Sequence, residues 1–146
     1  MPMNEIHDPA ILIRTLAEFR YEMRRFYQFS EKAALDAGTH PRQYQLLLQV
    51  AAAPEGTNVT IAYLAERLGL KHNSTVELVD RSENEGLVGR YEDSADRRRT
   101  ILRVTRKGHQ LLSKLAGQHG RELNEAAPRL IQALERIRSH AHKEAE

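Results

Sequence analysis

Asp96, Arg97, Arg98 and Arg99 stand in succession between two short runs of strand-forming residues. Guanidinium groups gathered at one turn donate to several acceptors at once and fit a narrow, electronegative groove. The chemistry open to them is phosphate and minor-groove recognition. The wider stretch 86–108 concentrates the same charge. Arg90, Arg97, Arg98, Arg99, Arg103, Arg106 and Lys107 stand against only Glu92, Asp93 and Asp96, a local excess of +4, whereas the whole chain carries +2. A charge run is ordinarily a solvated face, so its meaning depends on its surroundings.

A second polar group, His72, Asn73, Ser74, Thr75, Glu77 and Arg81, precedes it. Asn can read adenine in the major groove, Ser and Thr can reach base edges or phosphates, and Arg81 is placed for a phosphate or for a neighbouring acid. Ser74 and Glu77 also have capping-box spacing, so helix capping accounts for part of this group equally well.

No other constellation supports reaction chemistry. The chain has no cysteine, which excludes a disulfide framework, a thiolate metal site, a cysteine nucleophile and a thiol redox switch. No two of its seven histidines stand four apart, and His140 and His142 diverge on a helix, so no metal site is expected. Without a nucleophile–base pair or a phosphate loop, the chain does not read as an enzyme, and no cofactor is expected.

The elements that must position the two polar groups are mostly helical. Asp8 and Pro9 open a first helix that Gly38 stops. Along it Leu12, Leu16, Phe19, Met23 and Phe26 alternate four and three apart, a narrow seam of heptad type longer than one small domain can cover. A second helix begins at Pro41, capped by Thr39 or His40, and buries Tyr44, Leu47, Leu48 and Ala51. Thr60 caps a short third helix closed by Gly69, and a fourth opens at His72–Ser74, turns Val76 and Val79 inward and ends at Gly86. Two short helices around a tight glycine turn form a helix-turn-helix. Residues 87–92 and 100–104 then read as the strands of a hairpin with a charged tip. Thr105 caps a helix carrying Leu111, Leu112 and Leu115, weakened by Gly117 and Gly120. Pro128 starts a last helix with Leu130, Ile131, Leu134 and Ile137 facing inward.

A helix-turn-helix followed by a basic hairpin is a winged helix, in which the helix reaches the major groove and the wing the neighbouring phosphates or minor groove. The fold class expected is mainly α with one small β-hairpin. The winged core spans about 41–104, flanked by dimerisation helices over about 8–36 and 105–142, in one domain of 146 residues. Apolar residues at 40% and charged residues at 29% fit one soluble globular domain. With no apolar run of membrane length and no signal-peptide pattern, a cytoplasmic location is expected.

The segment LAERLGLKHNSTVELVDRSENEGLVGRYEDSADRRRTILRVTRKG resembles the core of the MarR family of winged helix-turn-helix transcription regulators. The LAERLGL helix, the STVELVDR helix with its GLV, and the D-x-x-D-R-R wing before V-T-x-x-G agree in order and spacing. The resemblance implies a homodimer, built from the first and last helices, that binds a pseudo-palindromic operator in double-stranded DNA. Many members release DNA when a small, often aromatic, ligand binds, so a repressor is the expected role. By the family's pattern Asp96 braces an arginine and Arg98 enters the minor groove, while Arg97 and Arg99 point elsewhere because side chains alternate along a strand. Ser82 departs from the pattern, which has a large apolar residue there. A serine forgoes roughly 1.5–3 kcal/mol of apolar burial, and its hydroxyl can bond back to a carbonyl one turn earlier.

Two further groups complete the expectations. Leu12, Leu16, Phe19, Met23 and Phe26, with Leu130, Leu134 and Ile137, form the dimer interface across a two-fold axis. Tyr27, Phe29 and Tyr44, with Arg42 nearby, are candidate lining for an effector pocket under that seam, since an arginine beside rings suits an aromatic carboxylate. The competing function is a winged-helix module that docks protein through the same surfaces without binding DNA.

Overall fold

The computed structural model describes residues 8–98 and 100–144. The elements, in order, are α1 (Pro9–Asp36), α2 (Pro41–Ala51), α3 (Ile61–Leu68), α4 (His72–Asn84), β1 (Val88–Glu92), β2 (Thr100–Val104) and α5 (Arg106–Glu144). The described residues fall into two compact units: a terminal one from 8–32 and 118–144, and a central one from 33–98 and 100–117.

Local chemistry sets most of the boundaries. Asp8 Oδ1 accepts from the Ala10 amide at 2.9 Å, giving α1 its N-cap. The Arg42 amide donates to His40 Nδ1 at 3.1 Å and the His40 amide to Gln43 Oε1 at 2.9 Å, so of the two expected caps of α2 it is His40 that serves. Thr60 Oγ1 accepts from the Tyr63 amide at 3.1 Å. Gly69 closes α3 at φ 65°, a conformation that costs a side-chain-bearing residue.

The central unit has two apolar clusters, and α2 serves both. Tyr44 and Leu47 join Ala34, Leu87, Val88, Leu112 and Leu115. Leu46 and Val50 join Val59, Leu64, Leu78, Val79 and Leu102. Ala51, expected among the buried residues of α2, is exposed. Strands β1 and β2 pair antiparallel with Arg90 opposite Leu102 and Val88 opposite Val104. Leu102 ties the hairpin down: it is 4% exposed, and its amide donates to the Val59 carbonyl at 3.3 Å.

Two expectations about the C-terminal part need correction. Pro128 does not begin a helix; it lies inside one 39-residue helix, α5. Proline there forgoes one amide hydrogen bond and crowds the carbonyl four residues back, a cost of about 3 kcal/mol that α5 carries without ending. Nor do the apolar residues after it all face inward. Within the terminal unit the buried positions of α5 are His119, Ala126, Ala133 and His140, seven residues apart, and those of α1 are Thr15 and Glu22, also seven apart. The seam inside this unit is therefore small and polar. Glu22 accepts from Arg129 Nε at 2.8 Å, an ion pair that raises the Arg129 pKa through its hydrogen bond and charge. His119 Nε2 lies 2.7 Å from Ser30 Oγ, with the Phe26 and Phe29 rings edge-on to its imidazole. Leu16, Ile131 and Leu134 are left 42%, 55% and 50% exposed.

Candidate nucleic-acid interface

The helix-turn-helix is α3 and α4, joined by Gly69-Leu70-Lys71. Phase along α4 decides which side chains are available. Thr75, Leu78, Val79 and Ser82 recur at helical spacing and are buried, so the opposite face, carrying His72, Asn73, Glu77 and Arg81, is exposed. Ser74 is half-buried.

Thr75 does not reach the exposed face of α4. It is fully buried, and its hydroxyl donates to the Lys71 carbonyl at 2.9 Å. The expected capping box at Ser74 and Glu77 is also absent: α4 starts at His72 with Lys71 as N-cap and no side-chain cap bond. Both residues sit inside the helix. Because the Lys71 carbonyl also accepts the Thr75 amide, Thr75→Val should change stability by about 1 kcal/mol or less and leave duplex binding unaltered. A roughly tenfold loss of binding in a normally folded variant would return Thr75 to the interface.

Ser82 behaves as its chemistry suggested. It is fully buried and donates to the Leu78 carbonyl at 2.8 Å, so the departure from a large apolar residue leaves no unsatisfied hydroxyl.

The wing tip is a turn between the strands, not an extension of either. Residues 97 and 98 have turn geometry, so strand alternation does not determine where their side chains go. Local bonds do. Asp96 Oδ1 accepts from the Arg98 amide at 3.0 Å and from Arg98 Nε at 3.4 Å. The guanidinium, 92% exposed, is thus held at its root and open at its end. Arg97 is exposed. Arg99 lies outside the described residues.

Much of the remaining basic charge is committed within the chain. Arg90 bridges to Asp80 and Glu83 of α4 at 2.6 and 3.0 Å. Those acids, led by the Asp80 hydrogen bond, raise its pKa. Arg103 lies over the Tyr91 ring, 5.6 Å from its centroid. Lys107 Nζ donates to the Glu85 carbonyl at 2.8 Å. Arg81, 61% exposed, meets Glu85 at 3.4 Å, a surface pair of small worth.

Sequence reading missed the groups that hold the C-terminal end of α4. Gln43, 1% exposed, donates to Glu85 Oε2 at 2.8 Å and accepts from the Thr39 hydroxyl at 3.0 Å. The available signal was a glutamine one helical turn before Leu47, on the buried stripe of α2.

The expected effector residues do not share one unit. Tyr27 and Phe29 belong to the terminal unit, Arg42 and Tyr44 to the central one. Tyr44 is 4% exposed in the central core, where desolvation raises its phenol pKa; it is a packing residue. Among the described residues no cluster of three or more His, Cys, Asp or Glu could hold a metal, and no helix is long and apolar enough to cross a membrane.

A helix-turn-helix with an exposed polar face, followed by a hairpin bearing a braced arginine, defines a winged helix-turn-helix protein. Comparison with known proteins narrows the class. Residues 37–99 match the MarR family model. A putative transcriptional regulatory protein for the hcr operon of Thauera aromatica is 28% identical over 114 residues, 78% of this chain and 67% of that protein. The structure of a MarR family protein from Bacillus stearothermophilus aligns with TM-score 0.66 and 25% identity over 90% of this chain and 96% of that one. The MepR–DNA complex of S. aureus aligns with TM-score 0.68 at 18% identity, over 87% of this chain and 91% of that one. Residues 37–99 thus resemble the MarR family of transcription regulators, and the fold is the one those structures share.

Proposed function

We propose that the chain is a homodimeric repressor that binds a pseudo-palindromic operator in double-stranded DNA and is released by a small ligand, acting in the cytoplasm. The observation that carries the DNA reading is Arg98, rooted by Asp96 and 92% exposed at the wing tip. A guanidinium held there has its donors free for a minor groove or a phosphate. The exposed His72, Asn73, Glu77 and Arg81 of α4 supply the second element, for base edges and phosphates in the major groove. The S. aureus structure with the same fold is a DNA complex, which supports the same assignment.

The paired state is supported by what one chain leaves open. Leu16, Ile131 and Leu134 are exposed. On the same two helices an open pocket of about 560 Å³ is lined by Ile11, Leu12, Thr15, Ala133 and charged neighbours. A second copy presenting the same helices covers both. Release by a small ligand rests on the resemblance to the MarR family alone.

The test is a gel shift with the duplex upstream of the chain's own gene, titrated with salt. Arg98→Ala should weaken binding to operator and to random duplex by similar factors, and lower the salt slope by about one per arm. Asn73→Ala should cost about 1–3 kcal/mol on operator and little on random duplex. Wild-type operator affinity in Arg98→Ala at moderate salt would reduce the wing to a soluble hairpin. Absence of any salt-sensitive specific shift would favour a protein-docking module.

A further inference from the structure

Recognition helix and wing must meet one duplex together, the first in the major groove and the second on the backbone beside it. Their relative placement therefore matters as much as the groups they present. A hairpin is a soft lever: its tip lies several residues from the buried Leu102 that anchors its base.

Arg90 stands at the middle of β1 and reaches back to α4. Its Nη2 lies 2.6 Å from Asp80 Oδ1 and its Nη1 3.0 Å from Glu83 Oε1. The two acids are one helical turn apart, so a single planar fork takes both at once, which an ammonium could not do with fixed geometry. The cluster holds two acids against one base and is net negative. Beside a polyanion, that charge opposes binding. Its presence next to the proposed interface is accounted for by geometry and not by attraction.

We propose that Arg90, gripping Asp80 and Glu83, is a positioning clamp that fixes the wing against the recognition helix at the spacing one duplex requires. It touches no DNA itself. The inference rests on the DNA-binding reading above and adds to it the residues that set wing placement.

The decisive variant is Asp80→Asn with Glu83→Gln, compared with Arg90→Lys, which keeps the charge and loses the fork. The duplex is one selected by the wild-type protein from a random library. Charge alone predicts tighter binding for the double variant, since two negative charges go and an arginine is freed. The clamp predicts the opposite sign: about tenfold weaker binding, on the scale of ordinary coupling between sites, with Arg90→Lys intermediate. It also predicts that adding Arg98→Ala to the double variant costs less than in wild type, because a released wing no longer delivers Arg98. A merely stabilising ion pair would leave that penalty unchanged. In the free protein, amide exchange of residues 91–98 should quicken several-fold while the melting temperature moves by only a few degrees.

Tighter or unchanged binding in the double variant overturns the clamp, as does an undiminished Arg98→Ala penalty. If the wild-type protein selects no duplex, the DNA reading falls instead. The exchange rates then decide whether Arg90 holds the hairpin: quickened exchange sustains the grip, and unchanged exchange ends it.

Discussion

Gly108→Ala should lower the melting temperature by about 10 °C. A Cβ on Gly108 would lie 2.1 Å from the Leu87 carbonyl oxygen and 2.7 Å from Val104 Cγ1. The first contact is with backbone and cannot be relieved by turning a side chain. That backbone is also constrained, because the Leu87 carbonyl accepts the Thr105 amide at 3.0 Å. Thr105 Oγ1 donates to the Gly86 carbonyl at 2.6 Å and accepts from the Gly108 amide at 3.0 Å. The start of α5 is bolted against the entry to β1, and only a glycine lets the two backbones approach so closely. Overpacking of this kind costs about 3 kcal/mol or more, which for a chain of this size is near 10 °C. Gly120→Ala, in the same helix with nothing within 4 Å of its added Cβ, should instead stabilise by about 0.5–1 kcal/mol. Thermal melts of the two variants side by side are the check. A Gly108→Ala protein melting within a degree of wild type would refute the close approach.

Leu134→Glu, alone or with Leu16→Glu, should convert the protein to a folded monomer and lower operator affinity at least about 100-fold. Both leucines are half-exposed in the single chain, so a carboxylate there costs the isolated fold little. At a dry interface between copies the same carboxylate loses its hydration without a partner and is strongly disfavoured. In the proposed dimer each copy brings one recognition helix and one wing. Two linked half-sites gain about 10²–10⁴ over one, and the monomer forfeits that gain. Sedimentation and duplex titration at micromolar concentration test both halves. A persistent dimer removes the seam from the interface, and a monomer with undiminished affinity removes the need for pairing.

What the sequence disclosed depended on how far each determinant lies from the residue it governs. Thr60, Gly69, Asp8 and His40 act within four residues, so the helix ends could be read directly. The winged core was legible because its two polar groups sit on elements with clear start and stop signals. Thr75 was misassigned by weighing residue type above phase: it shares a helical stripe with Val79 and Ser82, which the 3.6-residue period alone would have put inside. Pro128 and Gly120 read as breaks because local propensity was allowed to outvote the packing of α5 on either side. Glu22 with Arg129, and Arg90 with Asp80 and Glu83, were not legible. Charged residues carry no mark of the partner they will meet across the fold, and the tally of basic residues in the hairpin could not show that Arg90 is already engaged.

The pairing of Glu22 with Arg129 also sets an order of events during synthesis. The two are 107 residues apart, and the ribosome adds about 5–20 residues per second. Roughly 5–20 s separate the emergence of α1 from that of the segment that covers it. The central unit, closed by contacts within residues 33–117, is complete before that segment exists. The helix made first is therefore the last to be enclosed. Through most of translation Glu22 waits for the guanidinium it pairs with in the finished fold.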